Sequence, residues 1–190
     1  MQFSFKKIFR KIEKLLFTPK AFWEAEKNKT TGEKNLMLVY LLPLIGMVAI
    51  AVFIGDFFKR IDFFIEYPLL KALRIVLLFL LTYQIGVFFT TELMKTFGAE
   101  KQKDIARKLV AYSITPFLLV SLITGLFPFL YVLSVLGLYG FYLFWQGVDK
   151  LLSLPENRKS SYTLITIVTN FFVFSFLSVL LTKLLNAYYG

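Results

Sequence analysis

Neither histidine nor cysteine occurs among the 190 residues, so any chemistry must come from carboxylates, amines, guanidiniums, hydroxyls, phenols and amides. This inventory excludes Ser-His and Cys-His catalysis, the usual zinc ligand sets, haem held by His or Cys, iron-sulfur clusters and disulfides. Acid-base catalysis would have to run through Asp, Glu, Lys or Tyr. Asp56, Asp62 and Glu66 share one connection and carry oxygen ligands of the kind calcium takes, but their spacing matches no calcium loop, and they read better as solvated loop charges. Asp56, Glu92 and Asp149 fall at the ends of apolar runs, and Lys71 and Arg74 at the start of one, where long side chains reach the interface. No ionisable residue falls in the middle of a run, which argues against a proton relay or ion path. A non-enzymatic protein without cofactor or metal is expected.

Neutral polar residues inside the runs are the remaining candidates. Gln84, Thr115 and Asn170 belong to three different runs and would line a polar path if they faced one another. Hydrogen bonding between helices is the alternative, at about 0.6 kcal/mol per contact. A second group lies near the N-terminus, where Lys6, Lys7, Arg10, Lys11 and Lys14 alternate with Phe5, Ile8, Phe9, Ile12, Leu15 and Leu16 at helical spacing. This is the pattern of a helix lying among lipid headgroups, or of a juxtamembrane helix packed on the protein. Thr18-Pro19 reads as the cap and first turn of a further short helix carrying Phe22 and Trp23.

The elements that position these groups follow from composition. Hydrophobic residues make up 57% of the chain, about 108 positions, enough for five membrane spans of about 20 residues each. Charged residues are only 18% and aromatic residues also 18%, against a usual charged fraction of about 25%. The predicted architecture is an all-α integral membrane protein, with a cytoplasmic amphipathic segment over 1–35 and a five-helix bundle over 36–190. Predicted spans are 36–55, 75–91, 109–126, 129–148 and 164–185. Gly125, Leu126, Phe127 and Pro128 leave spans three and four only a tight hairpin.

The net charge of +10 is distributed by side. Seventeen Lys and Arg flank the bundle on the N-terminal side, and five, namely Lys59, Arg60, Lys71, Arg74 and Lys183, on the other. The positive-inside rule then puts the N-terminus in the cytoplasm and the C-terminus outside. Basic residues set between apolar runs orient a membrane protein, so nucleic acid is not an expected partner; membrane lipids, a protein partner or a second copy of the chain are.

Pro43 and Pro116 fall inside spans one and three, where each frees a carbonyl four residues earlier, that of Val39 and of Tyr112, and bends the helix. Ser113 and Thr115 are placed to satisfy part of the freed backbone. In span four Gly137, Gly140, Phe144 and Gly147 form a smooth stripe for close helix packing.

The element Tyr112-Ser-Ile-Thr-Pro116 in the third of five spans is similar to the Yip (Ypt-interacting protein) family. Pro19 and Phe22 before span one, Tyr40 and Pro43 within it, the hairpin at Pro128, and Gly137, Gly140, Gly147 and Pro155 agree in order. The resemblance implies five helices and a cytoplasmic N-terminus. In eukaryotic members it implies binding of Rab-type GTPases and a part in vesicle traffic. Those members carry an Asp-Leu-Tyr-Gly-Pro type motif before span one; Thr30 to Val39 has none, and Ala111 replaces a glycine that often precedes the tyrosine. The short lysine-rich N-terminus resembles the prokaryotic branch, which implies a bacterial cytoplasmic membrane. The expected function is a scaffold or adaptor that engages a partner protein or lipid through Lys6, Lys7, Arg10, Lys11 and Lys14. The alternative is a small transporter, permease subunit or lipid-handling protein with its path at Gln84, Thr115 and Asn170.

Overall fold

The structure is a computed structural model that describes residues 5–27, 29, 36–58 and 65–189. Lys59, Arg60 and Asp62, and residues 1–4 and 30–35 of the N-terminal segment, lie outside the described residues.

All regular structure among the described residues is helical. Helix α1 covers Phe5–Phe17 and α2 covers Pro19–Lys27. A π-helical turn, Met37–Leu41, leads into α3, Leu42–Phe57. Helix α4 runs over Glu66–Thr96, α5 over Lys103–Ser113 and α6 over Thr115–Leu126. A 3₁₀ segment, Pro128–Leu138, leads into α7, Tyr139–Leu151, and α8 closes the chain with Glu156–Tyr189.

Among the described residues five stretches are long and apolar enough to cross a membrane: Met37–Phe57, Glu66–Thr96, Lys103–Leu126, Pro128–Leu151 and Glu156–Tyr188, here spans one to five. They fall where the apolar runs predicted them, but spans two and five extend well past the runs. The run of span two ends at Arg74 and Glu92, whereas its helix continues through both, with Arg74 bonded to Thr182 and Glu92 paired with Lys101 at 2.6 Å. Span two, 31 residues, is about 46 Å long against a hydrocarbon core of about 30 Å. It ends at Gly98 (φ +88°), with Ala99 N–H donating to the Met94 carbonyl at 2.9 Å, the glycine-terminated helix end that satisfies orphan carbonyls.

Asp56 and Lys71 correct the reading of solvated and snorkelling charges. Asp56 is buried, and Lys71 Nζ lies 2.6 Å from its Oδ1, an ion pair between spans one and two. Arg74 Nη1 donates to Thr182 Oγ1 of span five at 3.0 Å. Neither cation simply reaches for the interface.

Span one packs on spans two and three, span two also on spans three and five, and span four on spans three and five. Lipid tails are as apolar as Leu, so such contacts depend on close fit rather than on hydrophobic expulsion. Glycine supplies the fit. A Cβ on Gly55 would overlap the Gly125 carbonyl, one on Gly140 the Ser113 carbonyl, and one on Gly137 would come 2.6 Å from Phe117 Cδ1. The predicted stripe therefore seats span three, and Gly55 against Gly125 adds a second close approach at the hairpin, where the chain turns on Phe127. Gly55→Ala and Gly140→Ala should each lower the thermal unfolding midpoint in detergent, at an overpacking cost of about 1–3 kcal/mol. Gly46, where an added Cβ would meet nothing within 4 Å, should accept Ala at no cost. Equal behaviour of the three variants would refute the close backbone approach.

Candidate functional site

The described residues gather their polar interactions where α1 and α2 meet span three. Helix α1 turns Ile8, Ile12 and Leu15 into one core with Trp23, Leu109 and Tyr112, and leaves Lys6, Lys7, Arg10 and Lys14 exposed. Ile8, Ile12 and Leu15 are thus taken up by protein, whereas Phe9 and Phe17 stay exposed. Thr18 Oγ1 donates back to the Lys14 carbonyl at 3.0 Å, so it ties off the end of α1 instead of capping α2 with its side chain. Its backbone carbonyl accepts from Phe22 N–H at 2.9 Å and starts α2.

Helix α2 carries Phe22, Trp23 and Glu26 on its buried side. Phe22, Trp23 and Tyr40 each meet the Tyr112 ring edge-on, with centroids at 4.9, 5.5 and 5.2 Å. Gly147 leaves room for Trp23, whose Cζ2 would lie 2.8 Å from an added Cβ.

Glu26 is the residue that sequence reasoning missed. Its relative exposure is 1%, and its carboxylate accepts from Tyr112 Oη at 3.1 Å and pairs with Lys11 at 3.4 Å and Lys29 at 3.0 Å. Lys11 also donates to the Tyr112 hydroxyl and lies 4.7 Å from the ring centroid, over its negative face. Lys108 Nζ donates to the carbonyls of Glu26 (2.8 Å), which also accepts from Lys29 N–H at 3.3 Å, and of Lys29, and so ties the end of α2 to span three. Burial pushes the Glu26 carboxyl upward, but Lys11, Lys29 and the Tyr112 hydrogen bond outweigh it and hold it below its ordinary value of 4.5. The available signal was an acid one helical turn after two adjacent aromatics, on the same face.

The proline elements position this site. The helix breaks at Ile114 (φ −80°, ψ −7°), two residues before Pro116, and separates α5 from α6. Thr115 Oγ1 donates to the Ala111 carbonyl at 3.2 Å and shares a 2.9 Å hydrogen bond with Tyr40 Oη. Ser113 Oγ has no partner among the described residues, and Thr115 bonds the Ala111 carbonyl instead of the Tyr112 carbonyl that Pro116 frees. Before Pro43 the π-turn widens the winding, with Leu42 N–H bonded to the Met37 carbonyl, and Tyr40 sits in that turn.

The three polar-path candidates are placed differently. Gln84 is exposed on the outside of span two, and Thr115 is buried and engaged with Tyr40. Asn170 Nδ2 donates to Thr90 Oγ1 of span two at 3.1 Å and to the Thr166 carbonyl at 3.0 Å. Asn170 lines a cavity of about 50 Å³ with Thr82 and Ser113, walled mainly by phenylalanines such as Phe79, Phe117 and Phe174; neither Gln84 nor Thr115 lines it.

A carboxyl held below its ordinary value stabilises the docked state above 4.5, and that contribution is lost as pH falls through the depressed folded value. Glu24, paired with Lys150 at 2.7 Å, acts in the same direction. Glu26→Gln should therefore loosen α1 by about 1–3 kcal/mol at neutral pH, because Lys11 keeps its burial and loses its counter-charge. Hydrogen exchange of α1 amides should show faster opening in the variant and a shallower decline of protection below pH 4.5 than in the wild type. Unchanged exchange would remove Glu26 from its anchoring role.

A family model described as "Yip1 domain" matches residues 14–177. No curated protein and no solved structure matches the chain. The matched range begins inside α1, takes in Glu26, Tyr112 and Pro116, and ends inside span five. With five apolar helices and most of its length in that match, the chain is an integral membrane protein that belongs to the Yip1 domain family.

Proposed function

We propose that the protein works without catalysis, as a membrane scaffold or adaptor whose N-terminal face engages a partner protein or lipid. The observation that carries this reading is the anchoring of α1 and α2 on span three through Glu26 and Tyr112, which leaves Lys6, Lys7, Arg10 and Lys14 outward on a pre-organised surface. Pre-organisation reduces the ordering cost that binding otherwise carries. The asymmetry of 17 basic residues to five supports an N-terminus in the cytoplasm and a C-terminus outside, and the lysine-rich start supports a bacterial cytoplasmic membrane. A polar path draws no support from Gln84, which is exposed, or from Thr115, which is engaged with Tyr40.

Lys11 belongs to the anchor, so the test leaves it in place. Crosslinking in native membranes should capture a reproducible protein or anionic lipid with the wild type and lose most of it with Lys6→Gln, Lys7→Gln, Arg10→Gln and Lys14→Gln combined. Equal capture by the two proteins would rule out the basic face as the engaging surface.

A further inference from the structure

Helices α1 and α2 are in contact at their buried sides and leave a cleft between them on the outside. One wall is Lys7, Arg10, Lys11 and Lys14, a row at i, i+3, i+4 and i+7 along α1. The other includes Thr18, Ala21, Ala25 and Glu26, and Lys29 closes one end; the open volume is about 470 Å³. Like charges three and four apart on a helix repel by a few tenths of a kcal/mol each, so the row is unfavourable unless an anion answers it. Glu26 is the single carboxylate among the described lining residues, and Lys11 and Lys29 already use it. Lys7, Arg10 and Lys14 have no carboxylate partner among the described residues. Opposite them, Ala21 and Ala25 leave the space that longer side chains would fill.

The position of the cleft beside span four points to the kind of anion. Tyr139 Oη donates to the Leu16 carbonyl at 2.8 Å. Tyr139 begins α7 and lies about 18 Å along the helix from its end at Leu151. The corner between α1 and α2 thus lies alongside the body of span four, below the end of that span. Phe17, 81% exposed, and Phe9, 58% exposed, add apolar surface on the same helix. Cations beside a membrane-spanning helix, flanked by exposed phenylalanines, suit a ligand that joins a phosphate to acyl chains, as a phospholipid does.

We propose that the cleft binds the phosphate of an anionic phospholipid in the leaflet on the α1–α2 side, with Arg10 taking phosphate oxygens as a two-pronged donor and Lys7 and Lys14 supplying charge. This deepens the scaffold reading and rests on it for the exposed basic face. Full-length protein is reconstituted in nanodiscs of phosphatidylcholine with a minor fraction of phosphatidylglycerol, and the lipids it retains are measured by native mass spectrometry. The combined Lys7→Gln, Arg10→Gln and Lys14→Gln variant should lose retained phosphatidylglycerol about tenfold or more. Ala21→Leu, which fills the cleft without altering charge, should lose it comparably, and Ala25→Leu gives the same readout should Ala21→Leu fail to fold. Lys20→Gln, Lys27→Gln and Lys103→Gln combined change the charge equally at exposed positions outside the lining and should leave retention intact.

Equal loss in that control, or retention unaffected by both alanine variants, overturns the site in favour of diffuse surface charge. Glycerol phosphate binding as tightly in pure phosphatidylcholine nanodiscs makes it a soluble phosphoester site, and preferential uptake of an acidic peptide makes it a protein-docking site; either overturns the lipid assignment. A protein partner captured by the wild type without any phosphatidylglycerol preference leaves the scaffold reading standing and removes this inference alone.

Discussion

Everything on the basic side of the molecule depends on one buried carboxylate. Desolvating Glu26 costs several kcal/mol unless charge and hydrogen bonds replace the lost water. The replacements come from three places: Lys11 of α1, Lys29 after α2, and the Tyr112 phenol of span three. Because the partners belong to separate elements, satisfying Glu26 fixes the relative positions of all of them. Lys108 adds direction, since it binds carbonyls at the end of α2, where the helix dipole is negative. A hydrophobic contact alone would hold α1 and α2 against the bundle, but in many registers.

The spans reach this arrangement by departing from ideal helix at their prolines. Tyr40 lies in the π-turn before Pro43, and Tyr112 and Thr115 lie at the break before Pro116. In a regular helix the side chains would follow a fixed rotation of about 100° per residue, with every carbonyl engaged. The wider turn and the break alter that rotation locally, and Tyr40 comes to within 2.9 Å of Thr115 and edge-on against Tyr112. Glycine acts on the neighbouring helix: Gly140 lets span four approach the Ser113 carbonyl beside the break, and Gly147 admits Trp23. Kink, close approach and anchor form one assembly.

The five spans were legible because hydropathy over about 20 residues is a strong signal, and the hairpin at Phe127 because almost no residues remained for it. Tyr112, Pro116 and the Gly137, Gly140 and Gly147 stripe were legible as positions, though their contacts were not. Glu26 was invisible for a physical reason: a carboxylate in a short polar helix looks like any solvated charge until its partners, 15 residues before it in Lys11 and 86 after it in Tyr112, are brought together. Asp56 was read as a solvated loop charge and Lys71 as a side chain reaching the interface for the same reason, since their pairing depends on the spans being adjacent. Gln84 and Asn170 show the converse. Both are polar residues in apolar spans, yet one faces outward and the other binds Thr90, because sequence gives the polarity of a residue without its rotation about the bundle.

The division of labour on α1 follows from how its side chains are spent. An amphipathic helix that partitions into a bilayer does so with its apolar face, and affinity scales with the apolar area it buries there. Ile8, Ile12 and Leu15 are already buried in protein, which leaves Phe9, Phe17 and the cations for contact with anything else. On the scaffold reading proposed for this face, recognition is mainly electrostatic, sensitive to salt over a Debye length of about 8 Å at physiological ionic strength. Ile8, Ile12 and Leu15 hold the cations at fixed positions, so on that reading the face would select for the spacing of negative charge. A helix free to roll could meet any acidic surface, whereas one locked by Glu26 and Tyr112 presents a single pattern, and that constraint turns a basic sequence into a specific surface.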